Sequence, residues 1–128
     1  SFVDPWGLEW GYSQSTGQFS QNGVSVATGY SGNGLGLNNS AWQSVPSVGP
    51  IPQGTWNIGN AYNSPNTGPQ TIMLTPAPGT NAFGRSAFRI HGDNGAGNQS
   101  ASNGCIVVGP SVRSQIINSG DTTLVVGP

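Results

Sequence analysis

The sequence predicts a mainly β protein, a sandwich or barrel with one short helix. Short runs in which apolar and polar residues alternate recur along the 128 residues, and 21 glycines and 10 prolines separate them. One segment alone has the spacing of a helix. Four tryptophans, four phenylalanines and three tyrosines supply apolar surface for a core, which distinguishes the chain from a disordered linker. A chain of this length is expected to form one core.

In the first half of the chain, turn signals separate short strands. The pair Asn22 and Gly23 is typical of a two-residue hairpin turn, so the segments before and after it are predicted to pair. Residues 31–50 have the composition of a loop, and prolines limit strand pairing until Thr55. The predicted strands of this half are residues 8–13, 17–23 and 24–32, followed by a strand that begins at Thr55.

The second half is predicted to hold four further strands and the helix. Phe88 and Ile90 alternate with Arg89, which places the two apolar side chains on one face of a strand. Residues 110–120 have helical spacing, and Gly120 is a typical residue at a helix end. The predicted strands of this half are residues 71–78, 86–92, 104–110 and 122–128.

The composition excludes several classes of partner. Three arginines, no lysine and four acidic residues give a formal net charge of -1, and so few cations cannot neutralise enough phosphates to bind nucleic acid. No run approaches the roughly 20 apolar residues that cross a bilayer, so no membrane partner is expected. A single cysteine excludes an internal disulfide and leaves a free thiol.

The only histidine and the only cysteine, His91 and Cys105, lie in one short stretch of the chain. Each flanks a strand-like run, and if these strands are neighbours, imidazole and thiol meet at one end of the sheet. A neighbouring imidazole stabilises a thiolate and transfers its proton, which turns a thiol into a nucleophile. Gly104 permits a close backbone turn, and amides near Cys105 are then expected to face a developing oxyanion.

Two other interpretations of this pair remain open at this point. A lone cysteine is often a small buried hydrophobe, and a lone histidine is often a satisfied polar group. A structural zinc site needs four ligands, and the other candidate near the pair is Asp93, in an Asp-Asn-Gly sequence that is typical of a turn. We therefore expect no metal and no other cofactor.

Three motifs, in the right order, resemble the signature of L,D-transpeptidases. That family has an upstream histidine followed by Ser/Thr-His-Gly-Cys, and here His91 is followed by Ser-Asn-Gly-Cys at 102–105. Ile90, His91 and Gly92 match its Ile-His-Gly, and residues 49–58 (GPIPQGTWNI) are similar to its Thr-Pro-x-Gly-x-Phe-x-Ile stretch. Together the motifs extend over most of the chain.

The resemblance implies an L,D-transpeptidase-like β-sandwich or barrel and a role for each matching residue. It implies that Cys105 is the acyl-accepting nucleophile, that His91 is its general base, and that Gly104 with Cys105 donates hydrogen bonds to the oxyanion. Ser102 is expected to help order the site. Asn103 stands where the family has a second histidine, so His91 must be oriented by a backbone carbonyl near that position or by another group.

The arginine that usually follows the cysteine in that family is also missing. The resemblance implies that another arginine contacts the substrate carboxylate, and the candidates are Arg85, Arg89 and Arg113. We place Arg89 in the substrate site. Three further residues are expected to bind substrate there: Tyr30, Trp56 and Asp93. For the aromatic residues, burial in the core is an equally good interpretation.

Two short matches indicate a delivered toxin. Residues 29–32 (GYSG) and 104–106 (GCI) are similar to small L,D-transpeptidase-like effectors of type VI secretion. Residues 4–8 (DPWGL) resemble the end of the core of Rhs/YD-repeat toxins, so residues 1–8 are interpreted as the end of an upstream core and residues 9–128 as the catalytic domain. We then expect a monomer that acts in the periplasm of a target bacterium and has a cognate immunity protein.

The expected function is peptidoglycan modification by a cysteine enzyme. The thiol would attack the carbonyl before the terminal D-alanine of a tetrapeptide stem. The thioester would react with water, as in an L,D-carboxypeptidase, or with an amine, as in an L,D-transpeptidase or in D-amino acid exchange, and the sequence leaves this balance open. The alternative is a non-catalytic cell-wall or carbohydrate-binding β module, in which Trp and Tyr stack on sugars and Cys105 is inert.

Overall fold

The computed structural model describes residues 10–93, Ser102 and residues 104–128, so the predicted boundary after residue 8 lies outside the described residues. Within these ranges there are nine strands and one α-helix, which confirms the mainly β prediction. Two short 3₁₀ turns, Gly34–Gly36 and Ser40–Trp42, lie in the predicted long loop. The elements are β1 (Trp10–Ser13), β2 (Gln18–Gln21), β3 (Val24–Thr28), β4 (Tyr30–Ser31), β5 (Gly54–Ser64), β6 (Gly68–Pro76), β7 (Arg89–His91), β8 (Ile106–Val107), α1 (Pro110–Ser119) and β9 (Thr123–Gly127).

The strands of the described ranges form one sheet in the order β3-β2-β1-β9-β5-β6-β7-β8-β4. Strands β3 and β4 stand at opposite ends of this order, yet only Gly29 separates them in the chain. The sheet therefore curls until its edges approach, which gives a nearly closed barrel. The Gly29 N–H donates to the Gly17 carbonyl (2.7 Å), and a side chain at Gly29 would collide with the Val107 carbonyl. The run predicted as one strand over 24–32 is thus divided in two.

Large apolar side chains hold the centre of the sheet. Strand β9 pairs in parallel with β1 and antiparallel with β5, so Leu124 lies between Trp10 and Trp56. All three side chains are fully buried, and Trp56 packs edge-on against Phe88 with ring centroids 4.8 Å apart. Because full burial of one such side chain contributes about 1.5–3 kcal/mol, these strands contain the main apolar core.

Helix α1 begins and ends where the sequence predicts. Pro110 occupies the first turn, where its missing N–H is harmless, and Gly120 follows the last turn in the left-handed region (φ 73°). The helix packs on β6 and buries Val112 and Ile116 together with one charged residue, Arg113. In the part of the chain that the structure describes, no helix has the length and apolar character needed to span a membrane.

Strands β7 and β8 place the histidine and the cysteine on neighbouring strands, but at opposite ends of the strand pair. They are parallel neighbours, with Ile90 opposite Ile106 and His91 opposite Val107. Because both isoleucines are fully buried, a slip of one residue would expose them, and the register is well determined. His91 ends β7 and Cys105 directly precedes β8. The flanks of the predicted pair are therefore neighbouring strands, as expected. The expected meeting at one end of the sheet is wrong, because the strands are parallel and Cys105 lies level with Arg89, two residues before His91.

Candidate active site

His91 and Cys105 line one cleft beside β7 and β8. The cleft has a volume of about 460 Å³, and none of the described residues that line it is acidic. No three His, Cys, Asp or Glu side chains gather within the described ranges in a way that could hold a metal ion. The other lining residues come from the loops before β5 and β7, the β5–β6 turn, the start of β7 and the segment before β8: Pro46, Ser47, Thr67, Gly84, Arg85, Ser86, Ala87, Phe88, Arg89 and Gly104.

The backbone carbonyl of the next residue orients the His91 ring. Nδ1 lies 2.7 Å from the Gly92 carbonyl, and because a carbonyl only accepts, Nδ1 carries the proton and Nε2 is the proton acceptor. The orienting group is thus a backbone carbonyl, at Gly92 rather than near Asn103. Burial lowers the pKa of His91; the Gly92 hydrogen bond acts against this, and the charges of Arg113 and Arg89 lower the pKa further. The imidazole is therefore neutral near pH 7.

The Cys105 thiol is half-buried and protonated at rest. Its Sγ donates to the Ala87 carbonyl at 3.6 Å. Burial raises the pKa of the thiol, whereas a hydrogen bond from the Arg89 backbone and the charges of Arg89 and Arg85 act in the opposite direction. No hydrogen bond joins the thiol to the imidazole of His91, although the structure describes both side chains. The structure therefore has a neutral thiol and a neutral imidazole where the sequence predicts a thiolate.

Ser102 is fully buried and ties together the backbone around the cysteine. Its Oγ donates to the Cys105 carbonyl (2.5 Å) and accepts from the backbone N–H groups of Gly32 (2.9 Å) and Gly104 (3.1 Å). One hydroxyl thus pairs with three backbone groups, which restricts the conformations available to the segment that carries the thiol. The ordering role of Ser102 stays a prediction, and these contacts support it.

Strand β4 and the residues after it hold the same segment, which sequence reasoning missed. Ser31 Oγ donates to the Gly104 carbonyl (3.1 Å) and accepts from a backbone N–H of the loop before β5 (2.8 Å). Asn33 Nδ2 donates to the Ser102 carbonyl (2.7 Å). The available signal is the Gly-Tyr-Ser-Gly sequence at 29–32, because a serine within a strand that is buried on both faces is expected to have a polar partner.

Gly104 has a backbone conformation (φ 130°) that residues with side chains rarely adopt, and a side chain there would collide with the Arg85 guanidinium. Glycine is therefore required at this position. Its N–H donates to Ser102 Oγ within the same segment, so this contact does not support the predicted oxyanion role of the Gly104 amide, which stays a prediction. The Cys105 N–H stays a predicted oxyanion donor. Asn103, also predicted at the site, lies outside the described residues.

The three arginines differ in how their donors are used. Both terminal nitrogens of Arg85 donate to backbone carbonyls of the loop before β5, at 2.6 to 3.0 Å. Arg113 is buried and also donates to backbone carbonyls. Arg89 donates from Nε to the Tyr62 hydroxyl (2.6 Å) and from Nη1 to the Ala87 carbonyl (3.3 Å), and no hydrogen bond links its Nη2 to a described residue. Arg113 does not line the cleft, and of the two arginines that do, Arg89 is the one whose Nη2 makes no hydrogen bond to a described residue.

Three residues predicted to contact substrate lie elsewhere. Trp56 is fully buried, and its indole N–H donates to a backbone carbonyl at 3.0 Å, so it belongs to the core. Tyr30 is 5% exposed, and its hydroxyl donates to Asp93 Oδ1 (3.0 Å). Tyr30 and Asp93 line a separate cavity of about 300 Å³, to which neither His91 nor Cys105 contributes. None of these three residues therefore lines the cleft of His91 and Cys105, and their contact with substrate stays a prediction without support there.

Comparisons with known proteins identify the fold and the family. The model of the Tlde1 domain matches residues 25–124, which is most of the chain. A solved structure, the avibactam carbamoyl enzyme of the L,D-transpeptidase Ldtfm, matches with a TM-score of 0.54 and 12% identity. The match covers 94% of this chain and 49% of that one, so this chain spans about half its length. No curated protein matches. The chain therefore belongs to the Tlde1 domain family, which comprises type VI secretion effectors with an L,D-transpeptidase-like fold.

Proposed function

We propose that this protein is a cysteine enzyme with L,D-carboxypeptidase and L,D-transpeptidase activity on peptidoglycan tetrapeptide stems, delivered into the periplasm of a target bacterium. One observation carries the proposal: the only thiol and the only imidazole of the chain line one cleft, and the imidazole has an unprotonated Nε2. Membership of a peptidoglycan-modifying effector family supports the substrate class. The producing cell then needs protection, which an immunity protein that occludes this cleft would supply.

The first half-reaction starts from the neutral pair. The Cys105 thiol turns from the Ala87 carbonyl and gives its proton to His91 Nε2, while Sγ bonds to the carbonyl carbon that precedes the terminal D-alanine. The Cys105 N–H donates to the oxyanion of the tetrahedral intermediate. As the C–N bond breaks, the imidazolium returns the proton to the leaving amine. D-alanine departs, and a thioester remains on the sulfur.

The second half-reaction regenerates the enzyme. His91 Nε2 accepts a proton from the water or amine that attacks the thioester carbonyl, and the imidazolium then protonates the departing sulfur. Water gives a shortened stem with a new carboxylate, whereas an amine gives D-amino acid exchange or a cross-link. The lowered pKa of His91 favours both half-reactions near pH 7, because a protonated imidazole cannot accept a proton.

Arg89 supports recognition of an anionic substrate. It lines the cleft beside the nucleophile, Tyr62 holds its Nε, and its Nη2 makes no hydrogen bond to the described residues. The described lining contains no acidic side chain to compete for this cation. A guanidinium in such surroundings binds a carboxylate through charge-assisted hydrogen bonds. We therefore assign the contact with the terminal carboxylate of the leaving D-alanine to Arg89.

The test is turnover of purified tetrapeptide muropeptides, followed by mass spectrometry in ¹⁸O-labelled water with and without an added D-amino acid. The native protein should release D-alanine, incorporate one ¹⁸O atom by hydrolysis and incorporate the D-amino acid by exchange. Cys105→Ser keeps the size of the side chain but removes the thiol, and it should lower the rate about 10³-fold or more. Val24→Ala, which changes a residue that is 66% exposed and outside the cleft, should retain the native rate.

Release of D-alanine at equal rates by the native protein and by Cys105→Ser would rule out the cysteine mechanism. Binding of wall material by both proteins without any cleavage would favour the non-catalytic module instead. That module has no specific support in the described ranges, where every tryptophan and tyrosine is buried or half-buried and none presents an exposed ring for stacking on a sugar.

A further inference from the structure

Arg113 is a buried cation with no role in the proposed chemistry. It lies on α1, is 7% exposed, and lines the separate cavity of about 300 Å³ rather than the cleft of His91 and Cys105. Its Nε donates to the Val108 carbonyl (3.1 Å) and its Nη1 to the Pro69 carbonyl (2.7 Å). Burial of a charge is unfavourable unless its hydrogen bonds are satisfied. A buried arginine paired with a carbonyl of β6 and with the carbonyl that follows β8 therefore has a specific structural task.

The guanidinium of Arg113 lies directly against Gly92. A Cβ atom placed on Gly92 would be 2.8 Å from Nη2, 3.2 Å from Cζ and 3.5 Å from Nη1 of Arg113. All three distances are at or below ordinary contact, so the planar group lies against Gly92, and a side chain at this position would require the guanidinium to shift. Gly92 is also the residue whose carbonyl accepts the Nδ1 proton of His91.

Arg113 contacts the backbone around His91 from a second side as well. The Val108 carbonyl accepts from Arg113, and the Val108 N–H donates to the His91 carbonyl (3.0 Å). The Arg113 guanidinium thus contacts both Gly92, which follows His91, and Val108, whose backbone N–H pairs with the His91 carbonyl. Since it lines a different cavity from the thiol, it reaches the reaction only through His91 and Gly92.

We propose that Arg113 is a positioning residue for His91: it holds the Gly92 carbonyl where that carbonyl accepts the Nδ1 proton, and it thereby keeps Nε2 unprotonated for Cys105. The proposal rests on the proposed function for its catalytic meaning, but the geometry it describes is independent of substrate. A carbonyl free to rotate would allow the proton to occupy either ring nitrogen, and the tautomer protonated at Nε2 cannot act as the base.

The charge of Arg113 acts on the same ring. Three charged groups influence His91: Arg113 from α1, Arg89 from β7, and Asp93 from the segment after β7. The two arginines disfavour the imidazolium, Asp93 favours it, and burial is the largest effect. Removal of the Arg113 charge should therefore raise the pKa of His91 toward its ordinary value, whereas Arg113→Lys keeps a charge but loses the planar group that covers Gly92.

The experiment uses the fact that the chain has one histidine. Long-range ¹H–¹⁵N NMR of the imidazole reports the tautomer and the pKa of His91 directly in the full chain, without substrate. The native protein should show one tautomer, protonated at Nδ1. Arg113→Met should show both tautomers and a raised pKa, and Arg113→Lys should show both tautomers with a smaller change in pKa. Arg85→Met is the matched control, because Arg85 is not among the charged groups that act on His91, and it should keep the native tautomer.

If Arg113→Met does not fold, Gly92→Ala tests the same contact from the other side, since the added methyl group would displace the guanidinium. A single Nδ1-protonated tautomer in Arg113→Lys and in Gly92→Ala would overturn the proposal. In turnover, Arg113→Lys should lower kcat about tenfold or more with little change in KM, because the residue does not line the cleft. A native protein that turns over no muropeptide, but whose tautomer depends on Arg113, would contradict the proposed function and leave the positioning role intact.

Discussion

Two halves of the sheet are held together in different ways. The core half, β1, β9, β5 and β6, has strands of 4 to 11 residues with large apolar side chains facing inward. The site half, β7, β8 and β4, has strands of two or three residues. Of the six buried polar or charged side chains in the described ranges, four lie in or against the site half: Ser31, His91, Ser102 and Arg113.

The core half mainly determines the stability of the fold, whereas the site half is expected to determine the reactivity of the cleft. Apolar packing tolerates small changes of geometry, so it stabilises the fold without determining the place of an atom to a fraction of an ångström. Hydrogen bonds have narrow distance and angle requirements, so a buried polar network determines where the thiol and imidazole lie. Substitutions in the core half should therefore lower stability first, and those in the site half should lower turnover first.

The largest expected effect on stability is in the core half. Leu124→Ala removes a fully buried side chain between Trp10 and Trp56 and should lower the free energy of unfolding by about 2–5 kcal/mol. Urea denaturation followed by tryptophan fluorescence measures it. The folded fraction should turn over substrate at the native rate. Leu35→Ala, at a side chain that is 73% exposed, should change the free energy by less than about 0.5 kcal/mol. Equal destabilisation by both variants would contradict the assignment of the core.

The next effect is in the site half. Ser102→Ala leaves the Cys105 carbonyl and two backbone N–H groups without their partner and should lower the free energy of unfolding by about 1–3 kcal/mol. Its kcat should fall further than the loss of folded protein explains, because the segment that carries the thiol is released. Ser25→Ala, at an exposed serine of β3, is the matched control and should behave like the native protein. Native kcat in folded Ser102→Ala would show that the network does not position the thiol.

A smaller effect is expected at the substrate end of the cleft. Arg89→Gln should raise KM about tenfold for a stem with a free terminal carboxylate, since one charge-assisted hydrogen bond is lost. The native protein should show the same loss with a stem whose terminus is amidated. Arg89→Gln combined with the amidated stem should raise KM no more than either change alone, because both remove the same contact. Additive losses in steady-state kinetics would place the carboxylate elsewhere.

The smallest effect is on the pH dependence of stability. Burial lowers the pKa of His91 below its unfolded value of about 6.5. The contribution of His91 to the free energy of unfolding is therefore fully present above that pH. It is lost as the pH falls, because the unfolded chain takes up a proton that the folded protein does not. Thermal unfolding between pH 7.5 and 5.5 should show this loss in the native protein and a reduced slope in His91→Gln. Identical slopes would mean that His91 titrates normally when folded.

The core half is the part that the sequence predicts well. Regular alternation of apolar and polar residues and helical spacing indicate β5, β6, β9 and α1, because side chains facing a core repeat with a fixed period. Alternation of apolar and polar residues carries no information about whether the sheet closes. It therefore does not predict the division of one run into β3 and β4 at Gly29. That division depends on close contact with the distant Val107 carbonyl.

The site half is predicted only in part. The rarity of His91 and Cys105 draws attention to them, and neighbouring strands bring both to one cleft. The sequence does not reveal that Trp56 and Tyr30 lie outside the cleft, because an aromatic side chain suits a core and a substrate groove equally well. The contact between Ser31 and Gly104 joins residues 73 positions apart, and no local pattern encodes such a pair.

The hydrogen bond from the thiol to the Ala87 carbonyl bears on the resistance of Cys105 to oxidation. Peroxides and other oxidants attack thiolates much faster than thiols, and the higher products of that oxidation are irreversible. Cys105 is the only cysteine of the chain, so the chain has no second thiol that could convert a sulfenic acid to an internal disulfide. At rest the chain thus carries its sulfur as the thiol, the form that oxidants attack slowly, and under the proposed mechanism the thiolate arises only when the side chain turns toward the imidazole.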